Sequence, residues 1–273
     1  MKRLINQVPG RPGQLALVLL PFALVLLVYL SASSARLAEN PNDPLLPSFS
    51  AMAEAFHAAA AEPTRRTGEL ILWTDTAASL QRIALGVGIA MTIALAVGIL
   101  VGLIPFANRG LSTFVAVLSM IPPLAILPIL FIALGVGEVA KVALIAIGIT
   151  PFLIRDIQQR VEEMPREILV KAQTLGAGTW QIILRVVLPQ ALPRLLDATR
   201  LALGTAWLFL IAAEAIAATE GLGYRIFLVR RYLEMELILP YVAWITLLAF
   251  LTDLLFRLVL RVGFTWYRDR SSR

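Results

Sequence analysis

Residues 167–193, EILVKAQTLGAGTWQIILRVVLPQALP, are the longest polar-containing interruption between hydrophobic runs in the second half of the chain. The stretch predicts two short helices joined at Gly176. Pro165, just upstream, suits a first helical position, where a missing N–H costs nothing. Ile168, Leu169, Ala172 and Leu175 recur at i, i+1, i+4 and i+7 and define one apolar face. Glu167 and Lys171 stand i, i+4 in the favourable order, each near the helix end that suits its charge. Gly176 can adopt the left-handed conformation that ends such a helix, and a second apolar segment, 180–188, runs to Pro189. An amphipathic element of this kind, held between membrane spans, either lies on lipid or docks into a partner.

On both sides of this stretch the chain turns oily. Of 273 residues, 59% are hydrophobic and 15% charged, with a mean hydropathy of +0.80; soluble domains carry about 25% charged residues. Separate apolar runs approach ~20 residues, the length that crosses ~30 Å of hydrocarbon. They predict an all-α polytopic membrane protein with six transmembrane helices, at about 15–30, 77–106, 111–134, 139–154, 195–218 and 237–260. The first run follows a basic N-terminus as a signal peptide would, but no small-x-small cleavage site closes it, so it reads as a retained span. The polar stretch 31–76 is then an external segment, with Ser50 capping a short helix that carries Met52 and Phe56. His57 beside that face reads as a surface histidine. Gly98 and Gly102 form a Gly-xxx-Gly pair that permits close helix approach. Pro122, Pro123 and Pro128 interrupt the third span and free backbone carbonyls at membrane depth. A bent helix lining a pathway and a purely structural kink both fit.

Orientation follows from Lys and Arg. With the N-terminus inside, fourteen of them fall on the inner side and seven on the outer; this bias selects cytoplasmic N- and C-termini. Residues 1–14 and 261–273 become cytoplasmic tails, and 155–194 a cytoplasmic loop between the fourth and fifth spans.

The content of that loop resembles a known signature. Binding-protein-dependent ABC importer permeases carry Glu-Ala-Ala, three residues, Gly, nine residues, Ile-x-Leu-Pro. Ala172, Gly176, Leu188 and Pro189 match at the right spacing, while Val170 and Lys171 replace the first Glu and Ala and Val186 replaces Ile. The departures at Val170 and Lys171 fall in the front half, which in the family helps seat the loop in the ATPase. Ile121-Pro122-Pro123, Leu127-Pro128, Arg155-Asp156, Glu214 and Gly221-Leu222-Gly223-Tyr224 are similar to the nitrate/sulfonate/taurine subgroup. The likeness runs from about residue 45 to the C-terminus. The stretch 211–224 also resembles permeases that accompany urea- or guanidine-carboxylating enzymes. The resemblance implies a type I ABC importer fold in the inner membrane and two copies, a homodimer, forming the pathway. It also implies ATPase subunits that bind the ATP below and a solute-binding protein above, facing the Gly221–Tyr224 region. The solute would be small and polar: nitrate, a sulfonate, taurine, urea or guanidine. Glu167, Lys171, Ala172, Gly176, Leu188 and Pro189 would couple to the ATPase. Arg82, Pro122, Pro123 and Glu214 are the pathway candidates.

Few charges lie inside the spans, where each is expensive. Asp197 and Arg200 are i, i+3, and Asp253 and Arg257 are i, i+4, so each pair can neutralise itself on its own helix. Arg82 and Glu214 have no opposite charge one turn away and sit at similar depth near the outer side. Either they pair across helices and close the outer part of the pathway, or Glu214 faces the solute, where a lone carboxylate would suit a guanidinium ion. Alternatively Arg82 snorkels to the headgroups and Glu214 takes backbone donors.

The sequence also excludes classes. It has no cysteine, hence no disulfide or thiolate metal site, and His57 is its one histidine. It lacks a G-x-x-x-x-G-K-[ST] phosphate loop, so an enzyme with its own ATPase site is not expected, nor a cofactor. The net charge of +6 is spread over span ends rather than one soluble face, which argues against nucleic acid. The competing class, a self-sufficient secondary transporter or channel, would favour inverted repeats and charge relays; neither is visible.

Overall fold

The computed structural model describes residues 10–40, 43–64 and 68–267. Of the charges used to orient the chain, Lys2, Arg3, Arg65, Arg66, Arg268, Arg270 and Arg273 lie outside the described residues, as do residues 1–9 and 268–273 of the two terminal tails. The rest is helical, with no strand among the described residues.

The bundle is built on α3 (Ile71–Leu103) and α6 (Glu138–Glu162). Gly86, Ala90, Ala94, Gly98 and Gly102 repeat every four residues along α3, and Ile145, Ile149, Leu153, Ile157 and Val161 do the same along α6. A Cβ on Gly86, Gly98 or Gly102 would lie 2.7 Å from the Cβ of Ile145, Ile157 or Val161 respectively. The constant offset of 59 residues in these three contacts means that the helices run parallel. In lipid there is no hydrophobic gain from joining two oily helices, so this backbone-close fit of small against branched residues supplies the attraction. The expected Gly98–Gly102 pair is thus the end of a ridge five small residues long.

Between them, α4 (Pro105–Leu118) and α5 (Pro123–Leu134) return the chain. They meet at 95°, so the predicted single span 111–134 is two helices around a corner. Pro122 is the N-cap of α5 and Pro123 its first residue, so these two sit where no amide donor is needed, while Pro128 lies inside α5.

After α6 come α7 (Arg166–Thr174), α8 (Thr179–Ile182), a π-turn over Ile183–Val187, and α9 (Leu188–Ala217). Residues Thr179–Ala217 form one continuous 39-residue helix, so Pro189 does not end the second segment as expected. The wide turn, in which Leu188 N–H donates to Ile183 O, relieves the clash that the Pro189 ring would make with the carbonyl four residues back. Thus 155–194 is mostly helix, and only 163–165 and 175–178 turn. The chain closes with α10 (Leu222–Val229) and α11 (Met235–Gly263).

Four described helices are long and apolar enough to cross a bilayer: α1 (Arg11–Glu39), α3, the α8–α9 helix and α11; the α4–α5 corner makes five if it counts as one span. The expected six are therefore not all present as oily spans. The shortfall is α6, whose 25 residues reach across but include Glu138, Lys141, Arg155, Asp156 and Arg160.

α1 stands apart with its apolar side chains exposed. It is tied at its far end, where Tyr29 Oη donates to Pro47 O (2.7 Å) and Ser33 Oγ to Leu46 O (2.9 Å), and Arg36 pairs with Asp43. In α2 (Phe49–Ala61) the cap is Ser48, whose Oγ accepts from Ala51 N–H at 3.2 Å, and not Ser50, which is already helical. Phe56, Trp73 and Trp244 stack edge-on or tilted at 5.8 Å and join α2 to α3 and α11. His57 is exposed.

Candidate functional site

Two regions, at opposite ends of α6 and α9, gather the chemistry. At the end where α6 stops and α9 begins, α7 finishes in a Schellman turn: Gly176 N–H donates to Gln173 O (2.9 Å) and Ala177 N–H to Ala172 O (3.0 Å). Gly176 has φ +82°, and a Cβ added there would meet nothing within 4 Å, so glycine is required by the backbone conformation and not by space. Of the predicted apolar face, Leu169 and Ala172 pack onto the core, while Ile168 and Leu175 turn outward. Leu175 is 87% exposed and Trp180, on the other side of the turn, 68%. Leu188 and Pro189 are half-buried where the helix enters the bundle. Glu167 and Lys171 are both exposed and make no ion pair among the described residues, which corrects the expected i, i+4 contact; such surface pairs are worth little.

Salt bridges fasten this end. Arg194 on α9 grips Asp156 on α6 with two bonds, 2.8 and 2.6 Å. Arg200 bonds Asp197 on its own helix (2.9 Å), as the spacing predicts, and also Asp253 on α11 (2.8 Å), which Arg257 holds at 2.6 Å. The two self-contained pairs are therefore one four-residue chain across two helices.

At the other end lies a buried polar cluster. Asp75, Ser79 and Arg82 project from one face of α3 at i, i+4 and i+7. Arg82 Nη1 donates to Glu214 Oε1 at 2.8 Å and to Glu220 O at 2.8 Å; its Nε and Nη2 donate to Glu138 at 2.5 and 2.8 Å. Lys141 also donates to Glu138, at 2.7 Å. Ser79 Oγ donates to Glu214 Oε1 at 2.7 Å, and Gly223 N–H to Oε2 at 2.8 Å. Arg82 and Glu214 are thus in contact, across helices and buried. Both Glu214 oxygens are taken by the protein's own donors, so in this conformation neither is offered to a guanidinium solute.

The glycine turn is stitched to the same cluster. Gly221 N–H donates to Asp75 Oδ1 (2.8 Å) and Leu222 N–H to Ser79 Oγ (2.9 Å). Arg225 pairs with Asp75 at 2.8 Å, and Tyr241 Oη reaches it at 3.4 Å. Gly221 has φ +126°, and a Cβ there would lie 2.6 Å from both Arg82 Nη1 and Glu214 Oε1. Three cations (Arg82, Lys141, Arg225) face three directly bonded carboxylates (Asp75, Glu138, Glu214), and a fourth, the half-exposed Glu220, stands 3.9 Å from Arg82 Nη2, so each buried cation has a carboxylate partner. The Pro122–Pro123 corner shares no hydrogen bond or ion pair with it. Asp75, Ser79, Glu138 and Arg225 were not anticipated. A helical reading carried two turns back from Arg82 on α3 would have found the first two on its face.

Residues 90–262 match the family described as binding-protein-dependent transport system inner membrane component. The chain is 36% identical over 198 residues to the taurine transport system permease protein TauC of Escherichia coli K12, covering 72% of each. It is 37% identical over 155 residues to the bicarbonate transport system permease protein CmpB of Synechococcus elongatus, covering 56% of this chain and 55% of that one. A chain in the inward-facing MetNI methionine ABC transporter superposes with a TM-score of 0.62 at 22% identity, over 72% of this chain and 98% of that one, and so shares the fold. Together with the helical bundle, its oily spans and the glycine-hinged loop, these matches settle the class: the chain belongs to the binding-protein-dependent transport inner-membrane family, the permease components of ABC importers.

Proposed function

We propose that this chain moves a small polar solute into the cytoplasm by alternating access, driven through the Gly176 turn by a separate ATPase that binds the ATP. The observation that carries this reading is the turn itself. Leu175 and Trp180 flank Gly176 and stand exposed at an end where the helices are cross-linked by Arg194–Asp156 and Arg200–Asp253. Exposed large apolar residues at a rigidly mounted turn suit a protein socket better than water. A push there is transmitted to α9 without a break, because the helix from Thr179 to Ala217 is continuous and ends in Glu214 and the outer cluster. That cluster is the gate in this reading: Arg82 and Glu214 lock the outer side until the motor parts the helices.

A homodimer of permeases, cytoplasmic termini and a solute-binding protein at the Gly221–Tyr224 side complete the assembly. The solute is compact and carries an anionic group. Taurine and bicarbonate, named for the two relatives, are small and carry an anionic group, and Glu214, the carboxylate that could have favoured guanidine, is bonded internally. Nitrate and sulfonates stay within the class; urea and guanidine fit less well. The test is Gly176→Glu in the assembled transporter. Insertion should be unchanged, because the position is exposed, while ATP hydrolysis should no longer drive uptake. Normal uptake by this variant removes the turn from the mechanism.

A further inference from the structure

We infer that the ends of α9 and α11 nearest the Gly176 turn hold a binding site for the phosphate of an anionic phospholipid. A cavity of about 320 Å³ opens there, lined by Asp197 and Arg200 from α9 and by Arg257, Arg261, Phe264 and Tyr267 along α11 and beyond it. Its charges do not balance. Arg200 uses Nε on Asp253 and Nη1 on Asp197, and Arg257 uses Nε on Asp253. Arg261 makes no ion pair among the described residues. Three guanidinium groups against two carboxylates leave one positive charge, and most of the unused donors belong to Arg257 and Arg261, one turn apart. A phosphodiester carries one negative charge and offers oxygens to the planar fork of an arginine.

The surroundings select lipid over a soluble anion. Arg261 lies 26 residues beyond Met235, or about 39 Å of helix at ~1.5 Å per residue, longer than ~30 Å of hydrocarbon, so Arg261 stands at headgroup level. Leu251, Leu254, Leu255, Leu258 and Val262 form an exposed apolar stripe down α11, at the three- and four-residue spacing of one helix face. Arg261 is three residues from Leu258 and borders that stripe, so a phosphate held by it has a track for acyl chains directly alongside. Phe264 and the exposed Trp266 pack edge-on at 5.4 Å beyond the helix end, and aromatic side chains of this kind favour the membrane–water interface.

The experiment is native mass spectrometry of the full chain in detergent, titrated with phosphatidylglycerol and with phosphatidylcholine of the same acyl chains. Arg261→Gln breaks no contact seen in the structure, so folding is not at issue. Phosphatidylglycerol should bind more tightly than phosphatidylcholine. Arg261→Gln should weaken it about fivefold, the worth of one basic residue at a charged membrane surface, whereas Arg230→Gln at the opposite end should not. Equal affinity for the two lipids, or equal phosphatidylglycerol binding by wild type and Arg261→Gln, overturns the assignment. So does displacement of the lipid by millimolar inorganic phosphate, which would mark a site for soluble anions.

Discussion

Replacing Gly221 by alanine isolates the outer cluster without removing any of its charged members. The backbone there, φ +126° and ψ 157°, lies in a region that only glycine occupies readily, so any side chain costs about 1–3 kcal/mol. The new methyl would also sit 2.6 Å from Arg82 Nη1 and Glu214 Oε1 and must push them apart, losing a charge-assisted hydrogen bond worth about 1.5–3 kcal/mol. The two effects together destabilise the closed cluster by about 2.5–6 kcal/mol. Even the lower figure raises the open population about a hundredfold. The chain has no cysteine, so a single thiol can report the opening. Ala213 is fully buried beside Glu214, and Ala213→Cys is a small change there. In oriented vesicles, a membrane-impermeant maleimide added at the outer side should label Ala213→Cys slowly, and label Gly221→Ala/Ala213→Cys about a hundredfold faster or at the limit set by a free thiol. If the two rates agree within about threefold, with equal protein in the membrane, the cluster does not hold the outer side shut.

Two further outcomes follow from the same physics. Gly98→Ala should lower the thermal midpoint of the detergent-solubilised chain by the equivalent of about 1–3 kcal/mol of overpacking, because its Cβ meets Ile157 at 2.7 Å; Gly88→Ala, inside the same helix with nothing within 4 Å, should not lower it and should raise it slightly. The Arg36 guanidinium, and after it the Leu45 amide, hold the Asp43 carboxyl below its usual range. The stabilisation this gives the end of α1 is complete at neutral pH, above the unfolded value, and is lost as pH falls through the lowered folded value. Amide exchange around residues 33–46 should therefore accelerate on acidification, and Asp43→Asn should remove that pH dependence.

What the sequence revealed and what it hid have separate physical causes. The Gly176 joint was legible because a left-handed helix end has one favoured residue and a fixed offset from the apolar face that precedes it. The Pro122–Pro123 corner was visible as a break but not as a 95° turn, since proline fixes where a helix starts and not where the preceding one points. Asp75 and Glu138 were overlooked because each lies just outside an apolar run, where a charge is ordinarily solvated. Folding carries α3 and α6 past those points and buries Arg82 between Glu138 and Glu214. For the same reason a simple exchange of the Arg82 and Glu214 charges is a poor test of their pairing: a glutamate at position 82 would face Glu138 as well. The small-residue ridge could have been read from its four-residue repeat, but a search limited to glycine shows only Gly98 and Gly102.

The central claim is that solute movement is driven from outside this chain, through the Gly176 turn. Liposomes can be prepared with this chain alone or with its ATPase and binding-protein partners, and accumulation of labelled solute followed with and without ATP. Uphill accumulation should appear only in the complete assembly with ATP. Accumulation against a gradient by the chain alone would contradict the account.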